Sequence, residues 1–418
     1  MLRYLLLLIV SGLLLNISQV TADTSSIYEE VESSVYQIRV INIETGKKVA
    51  IGSGFVVQRE DILATNYHVV SEYVNDPDVF RLEYLSTDGK SGDLELLDLD
   101  VIHDLAVVKS SKPMGKPLEI AAVPDKGARL FSLGNPLDLG FSIVTGTNNG
   151  IMEQDQDGNI LFSGNLNQGM SGGPTLDDSG NVVGINVAAQ GNAIGFLVPA
   201  NYLVTILKRL GNNGFEPIDN RFKQISEQLI ANSEKDIERL ASNNWGLTKI
   251  GKLQVPAALD KSMRCWDLSR TPKKDDLFRS FLTQCSNQND TYLSKNLSVG
   301  AISYEYSWMD TQKLNPLRFY SRYEKMNFSF IESDVDKSDV TNFACHTGFT
   351  RIAKQDFKTT VCRRDYIKYE GLSDMLFSIA LVGHKTQGAM FNLDVTGTRS
   401  QTALVLFKKM VGAFQWKS

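Results

Sequence analysis

Gly169-Met170-Ser171-Gly172-Gly173-Pro174 sets one serine on a glycine-rich bend, where little side-chain bulk stands between its hydroxyl and an incoming molecule. A serine hydroxyl is a poor nucleophile until a neighbouring imidazole takes its proton. The imidazole in turn needs a carboxylate to fix its tautomer and stabilise its cation. Both partners lie upstream, in Thr65-Asn66-Tyr67-His68 and His103-Asp104-Leu105-Ala106, in the order His, Asp, Ser. His68 follows the apolar run Ile62-Leu63-Ala64, which reads as a buried strand ending in a short turn. Asp104 opens the strand Leu105-Ala106-Val107-Val108, so its carboxylate sits at the edge of an apolar interior. Ser171 is followed by a strand over 182–187. Each piece alone is weak, because such strings occur in ordinary turns. Shared order and context make three unrelated residues the poorer reading.

Outward from these strings, 35–198 is a series of short β-rich runs separated by Gly, Asn, Asp and Pro, with hardly any helical period. That spacing fits an all-β barrel or sandwich. A short helical turn at 27–34 precedes it. Leu203, Val204, Leu207 and Leu210 predict a helix over 201–210, and Phe222, Ile225, Leu229, Ile230, Ile237 and Leu240 a longer one over 220–243. Strand-like runs return at 299–308, 317–323, 375–382 and 390–395.

Gly52-Ser53-Gly54-Phe55-Val56-Val57, 63–70, 104–109, Gly134-Asn135-Pro136, 169–174 and Gly195-Phe196-Leu197-Val198-Pro199 together resemble the trypsin-like serine proteases of the HtrA (Deg) type, over about residues 27–210. The resemblance implies a mainly β, chymotrypsin-like domain of two small barrels, with the triad in the cleft between them. It makes His68 the general base and acid, Asp104 its orienting partner and Ser171 the nucleophile. The backbone N–H groups of Gly169 and Ser171 would form the oxyanion hole. Asn167 falls where the family has an Asn; Met170 departs from the family's Asn just before the nucleophile. Asn165, six residues before the nucleophile, stands where trypsin-like enzymes put an acidic residue. Asn186, Val187 and Ala188, with Ile194 nearby, are the expected pocket residues, implying a shallow apolar or weakly polar pocket. After 210 the resemblance stops, and no peptide-binding PDZ loop is evident.

At 418 residues the chain is too long for one ordinary domain. Arg3, the apolar stretch 4–15 and Val20-Thr21-Ala22 read as a secretory signal peptide over 1–22. That stretch falls short of the roughly 20 residues that span a bilayer. Residues 23–250 carry 18 basic against 31 acidic residues, a net −13; residues 251–418 carry 24 against 17, a net +7. This asymmetry argues for separately built parts: a protease domain over 23–210, a helical connector over 211–250, and a C-terminal β-rich (α+β) domain over 251–418. The positive half would contact an anionic surface or dock on the acidic half. Its cations are dispersed, which argues against nucleic acid as a partner.

All four cysteines lie in that half. An even number in an exported chain suggests disulfides; of three pairings the local one is favoured, Cys265–Cys285 with Cys345–Cys362. No paired Cys or His spacing points to a metal, and no cofactor is expected. Each cysteine pair is followed by similar residues, which suggests two tandem units at about 251–335 and 336–418. Asn289, Asn296 and Asn327 match the glycosylation pattern.

The leading expectation is therefore an exported serine endopeptidase acting on proteins or peptides. Its place is the periplasm or the extracellular space, its C-terminal domain binds a partner or substrate, and homo-oligomerisation stays open. The alternative is an envelope-binding or chaperone-like protein in which the protease domain is an accessory.

Overall fold

The computed structural model describes residues 24–152, 157–187, 194–287, 290–326 and 335–417. The expected signal peptide, Ala188, Asn289 and Asn327 lie outside the described residues. Short β-branched and Leu-rich runs, punctuated by turn residues, build the first half. Helix α1 (Thr24–Val31) leads into β1 (Val35–Asn42), β2 (Lys48–Val56) and β3 (Ile62–Thr65). After α2 (Tyr67–Asn75) come β4 (Phe80–Leu85), β5 (Ser91–Asp100) and β6 (Leu105–Ser110). These six strands close into a barrel in the order β1-β2-β3-β6-β5-β4, and closure removes the free sheet edge.

A second barrel follows, from β7 (Arg129–Gly134), β8 (Ser142–Ile151), β9 (Ile160–Phe162), β10 (Pro174–Leu176), β11 (Val182–Val187) and β12 (Gly195–Pro199). Its order is β10-β11-β12-β9-β8-β7. Val35, Phe55 and Val57 of the first barrel share an apolar cluster with Phe131, Leu133 and Ile185 of the second. The expected mainly β, two-barrel architecture is the one the chain adopts.

Helix α3 (Ala200–Asn212) closes the second barrel, and α4 (Arg221–Ser242) leaves it. Asn220 caps α4, its side chain accepting from Lys223 N at 3.0 Å. Ile225, Leu229 and Ile230 on α4 pack with Tyr67, Val70 and Val74 of the first barrel. Two turns on, Ile237 and Leu240 join the core of the C-terminal sheet.

The C-terminal part holds β13 (Leu247–Ile250), β14 (Leu253–Pro256), β15 (Arg264–Asp267), β16 (Arg279–Ser286), the hairpin β17 (Thr291–Ser294)–β18 (Leu297–Val299), and β19 (Ile302–Asp310). Helix α5 (Pro316–Glu324) precedes β20 (Ala344–Ile352), β21 (Gln355–Asp365), β22 (Ser373–Leu381) and β23 (Gln387–Thr398). Helix α6 (Ser400–Gly412) and β24 (Gln415–Trp416) end it. Its main sheet runs β15-β16-β19-β23-β22-β21-β20. One face, with Tyr306, Phe377 and Phe391, packs on α6 through Leu406, Phe407 and Met410.

Two expectations are corrected here. The run 317–323, read as a strand, is helix α5. Asn315 accepts from Arg318 N at 3.0 Å and Pro316 stands at the helix start, a start signal that outweighs the aromatic content. Phe319 and Tyr323, one turn apart, pack on Met309 and Met390. The two cysteine segments are not separate tandem units, because both enter a single sheet. Cys265–Cys285 bridges β15 to β16 and Cys345–Cys362 bridges β20 to β21, at opposite edges. No helix among the described residues is long and apolar enough to cross a membrane.

Candidate active site

The serine bend is shaped by one tight turn. Met170 N donates to Asn167 O at 3.0 Å, and Gly169 has φ +96°. A positive φ at the third residue is the type II arrangement, which favours glycine. A Cβ on Gly169 would lie 2.3 Å from Asn135 O, so no side chain fits. Gln168 O accepts from Leu137 N at 2.8 Å. The C=O and N–H of a trans peptide point in opposite directions, which turns the Gly169 N–H away from Leu137. Neither Gly169 N nor Ser171 N donates to a protein acceptor among the described residues.

Ser53 ties this bend to the first barrel. Its Oγ donates to Gly169 O at 2.7 Å, its N donates to Ser171 O at 2.7 Å, and its Oγ accepts from Asn135 N at 3.0 Å. From the other side, Asn186 N donates to Gly173 O and Gly172 N to Asn186 O, both at 2.9 Å. Ser171 itself is 4% exposed.

His68 lies in the first turn of α2, where backbone N–H groups lack intrahelical partners. Asp104 supplies them. Its carbonyl accepts from Tyr67 N at 3.1 Å, and its Oδ1 accepts from His68 N at 2.8 Å. A carboxylate at a helix N-terminus is also favoured by the helix dipole. Asp104 holds φ +53°, uncommon for a residue with a side chain. Asn66 Nδ2 on its carbonyl, at 2.8 Å, helps hold it there. Oδ2 of Asp104 is 2.6 Å from His68 Nδ1. A carboxylate only accepts, so in the neutral imidazole Nδ1 carries the proton and Nε2 keeps its lone pair. Burial pulls the His68 pKa down, but the charge and hydrogen bond of Asp104 outweigh it and the net shift is upward. No hydrogen bond joins Ser171 Oγ to His68 among the described residues; such contacts commonly tighten only when substrate binds.

The expected pocket residues divide. Val187 lines a cleft together with His68 and Asp104. Asn165 is exposed and Ile194 is 47% exposed. Asn186 is fully buried: its Oδ1 accepts from Ser132 Oγ at 2.6 Å and Thr175 Oγ1 at 2.5 Å, and its Nδ2 donates to Leu133 O at 2.8 Å and Met170 O at 3.2 Å. With its amide in use, it holds up the serine bend instead of facing a substrate, which corrects its reading as a pocket residue. Ser53 and Asn66 were missed as site residues, although both lie inside the strings that carried the resemblance. Among the described residues, no group of three or more His, Cys, Asp or Glu is placed to hold a metal.

Residues 52–185 match the trypsin-like peptidase domain. A Brucella suis protein named "Probable periplasmic serine endoprotease DegP-like" is 33% identical over 181 residues, 40% of this chain and 34% of the relative. The Arabidopsis thaliana "Protease Do-like 1, chloroplastic" is 27% identical, covering 43% of each chain. Among solved structures, Deg5 is 25% identical, covering 43% of this chain and 90% of Deg5, with a TM-score of 0.38. The chain spans about a third of the length of the first of these relatives. Residues 52–185 are thus similar to a trypsin-like peptidase domain, and the relatives that align with this N-terminal half are named as DegP-like and Do-like proteases.

Proposed function

We propose that the chain is an exported serine endopeptidase, with Ser171 as nucleophile, His68 as general base and acid, and Asp104 as the group that orients His68. The observation that carries this reading is the His68–Asp104 pair at 2.6 Å, beside a serine bend whose Gly169 and Ser171 N–H groups have no protein acceptor among the described residues. His68 Nε2 takes the Ser171 proton as Oγ attacks the scissile carbonyl carbon. The oxyanion falls between the two N–H groups, where loss of one such donor typically costs about 10²–10³ in kcat. Collapse breaks the C–N bond, with His68 returning the proton to the departing amine. Water, deprotonated by His68, then clears the ester. The periplasmic name of the Brucella relative and the apolar leader at 4–15 support export, the periplasm being the compartment proposed. The division into 23–210, 211–250 and 251–418 is part of the same proposal.

A fluorophosphonate should label Ser171 in the wild-type protein and leave Ser171→Ala unlabelled, with the circular dichroism spectrum unchanged. A variant that keeps more than a few per cent of the wild-type peptidase rate would remove Ser171 from its role. An unlabelled wild type would favour the binding reading.

A further inference from the structure

The cleft beside His68 is not built by the two barrels alone. It has a volume of about 520 Å³, and its walls include Val101, Ile102, Val187 and Val198 from the barrels and Tyr292 from the C-terminal hairpin β17–β18. The Tyr292 ring stands 6.4 Å from the His68 imidazole at 85°, within the range of edge-to-face contacts. The hairpin is fixed on the helix that carries His68. Leu293 O accepts from Tyr67 Oη at 2.9 Å and from Asn75 Nδ2 at 3.1 Å, and both donors belong to α2. Leu293, Leu297 and Val299 are buried in one apolar cluster with Tyr67, Val70 and Val74. A single hairpin and a single helix therefore set the distance between Tyr292 and the imidazole.

We propose that Tyr292 is a specificity-determining residue that closes a subsite for a medium-sized aliphatic side chain of the peptide, at a position next to the scissile residue. The inference rests on the peptidase reading above. Four aliphatic side chains and the Tyr292 ring form the apolar part of a lining that is otherwise polar or acidic, and an aliphatic occupant set against that part gains by leaving water. Asp157 and Asp290 also line the cleft, so an acidic occupant would meet like charge. Tyrosine gives a large, stiff contact surface at small cost in conformational entropy. The C-terminal half thus acts inside the cleft.

The test is a peptide series varying one residue at a time on both sides of the cut. At one flanking position the wild-type protein should favour Leu or Val over Gly by about tenfold in kcat/KM, with Asp the poorest. Tyr292→Ala should bring the Leu-to-Gly ratio at that position to within about threefold, and Tyr292→Phe should keep it. A merely structural loss would slow both peptides alike and leave the ratio unmoved. If the ratio is the same in Tyr292→Ala as in the wild type, the inference is overturned. Fluorophosphonate labelling of the wild type separates the two levels. Labelling with an unmoved ratio sinks the subsite alone, whereas no labelling sinks the peptidase reading and the subsite with it.

Discussion

Asn186 and Ser53 show how a polar residue near a reactive group serves by holding it. Ser53 binds the carbonyls of Gly169 and Ser171, and Asn186 binds Met170 O and the backbone of Gly172 and Gly173; burial makes those bonds costly to lose. The strings that hold the proposed His-Asp-Ser set were legible because the chemistry proposed for them demands particular residue types in a particular order. The support was not, since a buried Asn and a pocket Asn look alike along the chain. The C-terminal sheet holds the opposite case, a polar group left short of partners. Asp394 Oδ1 and Asn392 Oδ1, both on β23, are buried without a hydrogen-bond partner among the described residues. Burial first, and then the Glu305 carboxyl on neighbouring β19, raise the Asp394 pKa from 3.8 to about 7. The protonated form is the one the fold prefers, so its contribution is complete below the unfolded pKa and is lost as pH rises through about 7. The urea midpoint should therefore fall between about pH 4 and pH 8, and Asp394→Asn should flatten that slope. Equal slopes in the two proteins would contradict the assignment.

At the scale of elements, α4 joins what composition divides. Its first half completes the core under α2, and its last turns complete the core of the C-terminal sheet. Gln228 on the same helix accepts from Val101 N at 2.9 Å and donates to Leu99 O at 2.8 Å, just before the loop that delivers Asp104. Truncating Leu229, 3% exposed, to alanine should cost about 3 kcal/mol, the usual range for a buried leucine. Urea unfolding followed by fluorescence and by circular dichroism should show one shifted, coincident transition. A loss below about 1 kcal/mol would mean that the helix is only loosely docked. The period of α4 was plain in the sequence, whereas that of α5 was hidden by its aromatic residues and showed only in its Asn-Pro start.

Across the whole molecule, the acidic and basic halves meet chiefly through apolar contact. Tyr366, Tyr369 and Leu372 join the cluster around Tyr67 and Val74, and Lys368–Asp76 at 3.6 Å adds an ion pair across the joint. The two disulfides close segments of 20 and 17 residues at opposite edges of the sheet. Each should contribute about 3 kcal/mol by restricting the unfolded chain. Reductant should lower the urea midpoint accordingly, and an unchanged midpoint would show that the sheet does not depend on them. The short strands of the first half, the helices at 201–210 and 220–243 and the residues of the proposed His-Asp-Ser set were readable along the chain, because periodicity and reactive residue types are local properties. The merging of two cysteine segments into one sheet, the support beneath Ser171, and Tyr292 standing against His68 were decided by tertiary structure alone. Tyr292 lies 224 residues beyond His68, and only packing of the hairpin on α2 brings the two together.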